Sequence, residues 1–117
     1  MPPHMPGAAD DPRGYLLDRF RTDAETLRDR TTALESGAVR PGPDVATSRA
    51  MAAACDAVVA LLDALAPSDQ IPSLASIQAM VPRLQALATH SAAQPAVRAV
   101  YAGAITRIRD LGPGTDG

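Results

Sequence analysis

Cys55, His90, the aspartates Asp56 and Asp63, and the arginines Arg98, Arg107 and Arg109 are the side chains whose types and spacing could do chemistry. A cysteine nucleophile must reach its thiolate form, which takes an electropositive, partly exposed setting. Cys55 stands among Met51, Ala54, Asp56 and Val59, an apolar and acidic neighbourhood, and reads as a core residue. Paired carboxylates can divide acid–base work or hold two metals inside a bundle, where the inward pattern is Glu-x-x-His. Neither Glu25 nor Glu35 has a histidine at that spacing, and Asp56 and Asp63, one heptad apart, read as the wet edge of a helix. Arg98 and Arg109 fall within about 20° of each other on a helical wheel, which suits an acidic partner or, more plainly, a solvated face. No catalytic residue, cofactor-binding residue or metal ligand is assigned from these groups, and a non-enzymatic chain is expected.

His90 closes the run Ala88-Thr89-His90-Ser91. In a four-helix chain of this length it resembles the histidine of phosphotransfer domains, and the resemblance implies phosphoryl transfer through His90. Those domains carry the histidine mid-helix and follow it with a Lys-Gly pair. Here Ser91-Ala92-Ala93-Gln94 follows, and the helix is near its end. A histidine in that place interacts favourably with the helix dipole without any transfer role.

All eleven basic residues are arginine, which fits the codon bias of a GC-rich, bacterial genome. Without lysine, Schiff-base chemistry and a phosphate-loop lysine are excluded. The arginines of the first forty residues alternate with acids, the isoelectric point is about 5.5, and Tyr15, Phe20 and Tyr101 are the only aromatics. Nucleic-acid binding needs a basic face, so that partner class is not expected. A single cysteine forms no internal disulfide. No apolar run is read as approaching the roughly 18 residues of a membrane span, and the Pro- and Gly-rich start, Met1 to Asp11, ends in two acids unlike a secretory signal. A cytoplasmic location is the expectation.

The elements that position these residues are helices. The chain has 24 alanines against 7 valines and 4 isoleucines, and alanine loses no side-chain entropy on entering a helix. Asp11 caps a first helix over about 12–36, with Pro12 in its first turn. Its apolar stripe is Leu17, Phe20, Ala24, Leu27, Thr31 and Leu34, at alternating steps of three and four. Gly37 ends it, and GAVRPGP forms the loop. A second helix over about 44–66 carries one stripe of Met51, Cys55, Val58, Leu62 and Leu65, and another of Ala50, Ala53, Ala57, Ala60 and Ala64. A helix apolar round most of its circumference is expected to be buried on several sides or to form half an interface. A third helix, about 73–90, carries Leu74, Ile77, Val81, Leu84 and Ala88. Pro82 is expected to kink or break it between Gln78 and Val81, a kink fitting the unbroken stripe better. A fourth helix over about 95–111 buries Val97, Tyr101, Ala104, Ile108 and Leu111. Its seam of Ala92, Ala96, Ala99 and Gly103 is expected to let it approach the second helix closely, so that Ala57→Leu or Gly103→Leu overpacks.

The sequence therefore predicts an all-α, up-down four-helix bundle over residues 11–111, with flexible tails at 1–10 and 112–117 and a homodimer as an open arrangement. The expected role is a non-enzymatic protein-interaction module, an adaptor, regulator or chaperone-like subunit, binding a protein partner or itself. The alternatives are phosphotransfer through His90 and a sensor with a ligand between its helices. No cofactor, metal, nucleic-acid or membrane partner is expected.

Overall fold

The computed structural model describes residues 11–111, and the predicted tails lie outside them. Within them the chain is all-helical, with no strand: α1 (Pro12–Glu35), α2 (Val45–Asp63), α3 (Leu74–Gln78), α4 (Val81–His90) and α5 (Pro95–Asp110). α1 starts where Asp11 accepts the Gly14 N–H at 2.9 Å, satisfying a donor that has no partner within the helix. It ends at Gly37, whose φ of +97° is open to glycine at little cost. The Ala38 N–H donates to the Ala33 carbonyl and the Gly37 N–H to that of Leu34, the two bonds of a Schellman cap.

The third predicted helix is broken rather than kinked. α3 stops at Gln78, the Met80 N–H reaches back only three residues to Ile77, and α4 opens with Pro82 in its first turn. Pro82 has no N–H for the Gln78 carbonyl, so the ladder parts there. Ala79 and Met80 keep right-handed helical dihedrals, and the stripe survives, with Ile77, Met80 and Leu84 all buried.

α1 packs along α2, α2 along α5, and α4 along α5, with α3 touching α5. One apolar core joins Leu16, Phe20, Val58, Leu62, Ile77, Leu84 and Ile108. Burying a side chain of that kind contributes about 1.5–3 kcal/mol, and every helix supplies at least one.

α1 and α2 are registered by charge. Arg21 pairs with Asp63 at 3.3 Å, Arg28 with Asp56, and Glu35 with Arg49. Positions on both helices step by seven, and the pairing runs antiparallel. A slip of one heptad would set Arg28 against Arg49, or Glu35 against Asp56, so only the native register has no like-charged pair. Each pair is about half exposed, where such contacts contribute only about 0.2–1 kcal/mol. Their role is to select the register rather than to supply stability. Asp56 and Asp63 stay on a solvated edge, as expected, and there they also pair with the arginines of α1.

Two further arginines of α1 hold the adjoining loops. Arg13 is 4% exposed, and no described carboxylate pairs with it. Its guanidinium donates to the carbonyls of Ala66 at 2.6 Å, Pro67 at 2.8 Å and Gln70 at 2.6 Å, with Leu62 at 3.5 Å. These carbonyls follow or close α2, and convergence on one cation ends the helix at Asp63, three residues before the predicted boundary. Arg30 does the same for the first loop, donating to the carbonyls of Pro43 and Arg40. Gly42 has φ of +116°, and a Cβ there would come within 3.1 Å of the Arg30 guanidinium. The conformation favours glycine, and a Cβ would also press on the Arg30 guanidinium.

α2 matches a membrane span by length and composition, which the sequence reading did not expect: 19 residues with mean hydropathy 1.5. Val45, Val58, Val59, Leu61 and Leu62 supply most of that hydropathy, and its alanines add to it. Arg49, Asp56 and Asp63 sit in it, paired with α1, and its Ala54, Cys55, Val58 and Leu62 lie in the protein core. These contacts place one face of α2 in the protein core. The second alanine stripe is only partly covered, with Ala53, Ala60 and Ala64 exposed.

Two outcomes follow for stability. Arg28→Asp, which faces Asp56 with a like charge, should lower stability by about 0.5–1 kcal/mol, and adding Asp56→Arg should restore it. Urea melts at low and at 1 M salt check this, since screening should shrink the difference. Arg13→Lys keeps the charge but loses the planar fork, and should cost about 1–2 kcal/mol. Arg13→Ala leaves the carbonyls without their donor and should cost about 2–4 kcal/mol. Equal melts for all three proteins would show that water satisfies those carbonyls.

Candidate functional site

Clefts open between α1 and α2, between α2 and the start of α5, and between α1 and α5, and the last is the most apolar in its lining side chains. α1 and α5 both lean on α2, yet neither is a main packing partner of the other. A cleft of about 330 Å3 opens there. α1 provides one wall with Phe20 and Leu27, α5 the other with Val100 and Gly103, and α2 the floor with Met51 and Cys55. Phe20 and Cys55 are buried, while Leu27, Met51, Val100 and Gly103 are half-buried.

Helical periodicity explains the wall of α5. Val97, Tyr101, Ala104 and Ile108 turn into the core, and Ala99, Gly103 and Arg107 fall on the neighbouring face. The α2–α5 packing expected from the small-residue seams is present, but Gly103 is not where the two axes meet. A Cβ built on Gly103 finds nothing within 4 Å, and Ala99 is exposed. The small residues leave space instead of drawing helices together, so the expected overpacking at Gly103 is withdrawn.

Two charges edge the cleft, both half-buried. Asp23 on α1 is engaged by Arg19 one turn earlier at 3.4 Å. Arg107 stands in the last turn of α5, where a cation suits the helix dipole, and no described carboxylate pairs with it.

Cys55 lies on the floor, 2% exposed. Burial pushes its thiol up to about 11, and the charges of Asp23 and Asp56 add to the shift against a smaller opposing effect of Arg28. A thiol so held is protonated at neutral pH and is not a nucleophile. Tyr101, whose hydroxyl is also shifted upward by burial and then by Cys55, belongs to the same desolvated region.

The remaining sequence candidates do not converge. His90 is exposed in the last turn of α4. Arg98 and Arg109 are exposed on α5, about 130° round the helix from the cleft at about 100° per residue. Asp56 and Asp63 are tied to α1. Among the described residues no group of three or more His, Cys, Asp or Glu side chains is placed to hold a metal ion. Sequence reasoning missed Arg107 as a separate feature. The signal was available, since it is the one arginine of α5 on the face of Ala99 and Gly103. Comparison with protein families, curated proteins and solved structures finds no match to this chain.

Cys55 should be inert to iodoacetamide at pH 7.5 in the folded protein and react at once in denaturant. Because its folded pKa lies above the unfolded value, the contribution of Cys55 to folding stability should be constant below pH 9 and fall between pH 9 and 11, as the unfolded thiol ionises first. Urea melts of wild type and Cys55→Ala across that range check the sign, the alanine variant losing less stability. Gly103→Ala should raise stability by up to about 1 kcal/mol through helix propensity alone. A loss there would show that the cleft is closed in solution.

Proposed function

We propose that this chain is a non-enzymatic protein-interaction module of the cytoplasm, an up-down four-helix bundle whose α1–α5 seam receives a helix from a protein partner. In this reading α3 and α4 together form the third helix. The antiparallel ion pairs of α1 and α2 support the direction of the first two. Ala46 and Ala50 lie beside Ala93–Val97, and Met51 and Cys55 beside Ala99–Arg107, which supports α2 and α5 running the same way. The turn at 91–94 joining α4 to α5 supports the remaining reversal.

The observation that carries the reading is the open seam. Two helices wall it and a third floors it, the shape that accepts the apolar face of an amphipathic helix through side chains at i, i+3 or i+4, and i+7. A second copy of this chain is the other protein occupant, which makes a homodimer. The volume also favours a second reading, since about 330 Å3 is at the lower end of small-molecule sites. A ligand between the helices would then make the chain a sensor.

Affinity capture with wild type and with Gly103→Leu, paired with light scattering across concentration, tests the proposal. A protein retained by wild type and lost from the leucine variant is the expected result. A dimer that Gly103→Leu dissociates would assign the seam to self-association. Identical recoveries from both proteins, with both monomeric, would contradict a role for the seam in binding protein.

A further inference from the structure

We infer that residues 66–71, between α2 and α3, are a strap that opens and closes as one unit, and that Arg13 is the latch coupling it to the first turn of α1. The inference does not depend on the α1–α5 cleft.

The strap has little of its own to hold it. Pro67, Ser68, Asp69, Gln70 and Ile71 are all exposed, Ile71 at 64%. Among the described residues its one internal backbone bond is a local turn, from the Gln70 N–H to the Pro67 carbonyl. Every described hydrogen bond from the strap to another helix comes from one group, the Arg13 guanidinium, which donates to the carbonyls of Ala66, Pro67 and Gln70. A segment with few buried apolar contacts and few backbone bonds opens at a lower free energy than the core it borders. The two ends are fixed, because Leu65 packs against the core before the strap and Pro72 is buried after it. Opening between those points leaves the core in place.

The latch is tied to the start of α1. Arg13 is the second residue of that helix, and Asp11 holds the turn: its carboxylate accepts the Gly14 N–H and its carbonyl accepts the Tyr15 N–H. When that turn frays, Arg13 moves, and a rigid guanidinium keeps its set of carbonyls only while its stem is held. In the other direction, an open strap would leave a cation that is 4% exposed without its acceptors, which is disfavoured until the turn loosens as well. Two segments 53 residues apart, at Arg13 and Ala66, therefore share one equilibrium, and such coupling acts equally in both directions. The open form widens the cleft of about 240 Å3 that Leu17, Arg21 and Asp63 share with the strap. It also brings to water a guanidinium that the closed form hides.

Native-state proteolysis of the full chain, with a protease that cleaves on the amino side of aspartate, tests the inference. The cut between Ser68 and Asp69 reports the strap, and the cut before Asp56 in the middle of α2 reports global unfolding. Below the unfolding transition the strap cut should depend weakly on urea and the Asp56 cut steeply. Arg13→Lys should speed the strap cut at least about fivefold, and so should Asp11→Ala, which removes the cap. Val97→Ala, a core change beside Ala46 and Ala50 at the other end of α2, should speed the Asp56 cut and leave the strap cut unchanged. Equal urea dependence of the two cuts, or equal acceleration of both by Val97→Ala, would show that the strap has no opening of its own. Faster exchange of the Tyr15 amide in Asp11→Ala, with an unchanged strap cut, would overturn the coupling.

Discussion

The antiparallel pairing of α1 with α2 is the constraint on which the rest of the molecule depends. Arg21, Arg28 and Glu35 meet Asp63, Asp56 and Arg49 in one register, and neighbouring registers bring like charges together. Arg13 and Arg30 then act from the same helix on the two chain segments that leave α2. A lysine-free chain is suited to this arrangement. A guanidinium presents several donors in a rigid plane and satisfies a cluster of carbonyls that a single ammonium would bind with less geometric control. α1 therefore sets where α2 lies, where α2 ends and how the following turn is shaped.

The consequence lies on the other side of α2. With α1 held along one flank and α5 along another, the small residues of α5 that face α1 do not reach it. A larger side chain at Gly103 would fill that space, and its absence leaves a groove with an apolar floor. The buried, protonated Cys55 thiol fits a floor built for packing rather than for covalent chemistry. Asp23 and Arg107 edge that groove with one charge of each sign.

The stripes of α1 and α5 were legible in the sequence because each is amphipathic with clear caps: Asp11 and Pro12 at one start, Gln94 and Pro95 at the other. The core residues Phe20, Ala24, Val58, Leu62, Leu84, Tyr101 and Ile108 follow from three- and four-residue spacing alone. Other features depend on the partner across space. Pro67, which has no N–H for the Asp63 carbonyl, announces the end of α2 to within a few residues, while the carbonyls gathered by Arg13, fifty residues earlier, are not announced by any local pattern. The ion-pair heptads were present as Asp56 and Asp63, but their meaning required knowing that α1 lies antiparallel beside them. The alanine-rich surface of α2 was read as demanding cover, yet alanine costs little when exposed on a helix, and Ala53, Ala60 and Ala64 stay at the surface. The small-residue seam of α5 marked a real feature with the opposite sense, a gap in place of a close contact.

Methyl NMR of the methionines tests the open seam most directly. Met51 lies half-buried on the cleft floor, and Met80 is 3% exposed in the core. With a soluble paramagnetic probe and assignments from Met51→Leu and Met80→Leu, the Met51 methyl should be strongly broadened while the Met80 methyl keeps its intensity. Equal protection of the two would show that α1 and α5 close over Met51 and would contradict a preformed binding cleft.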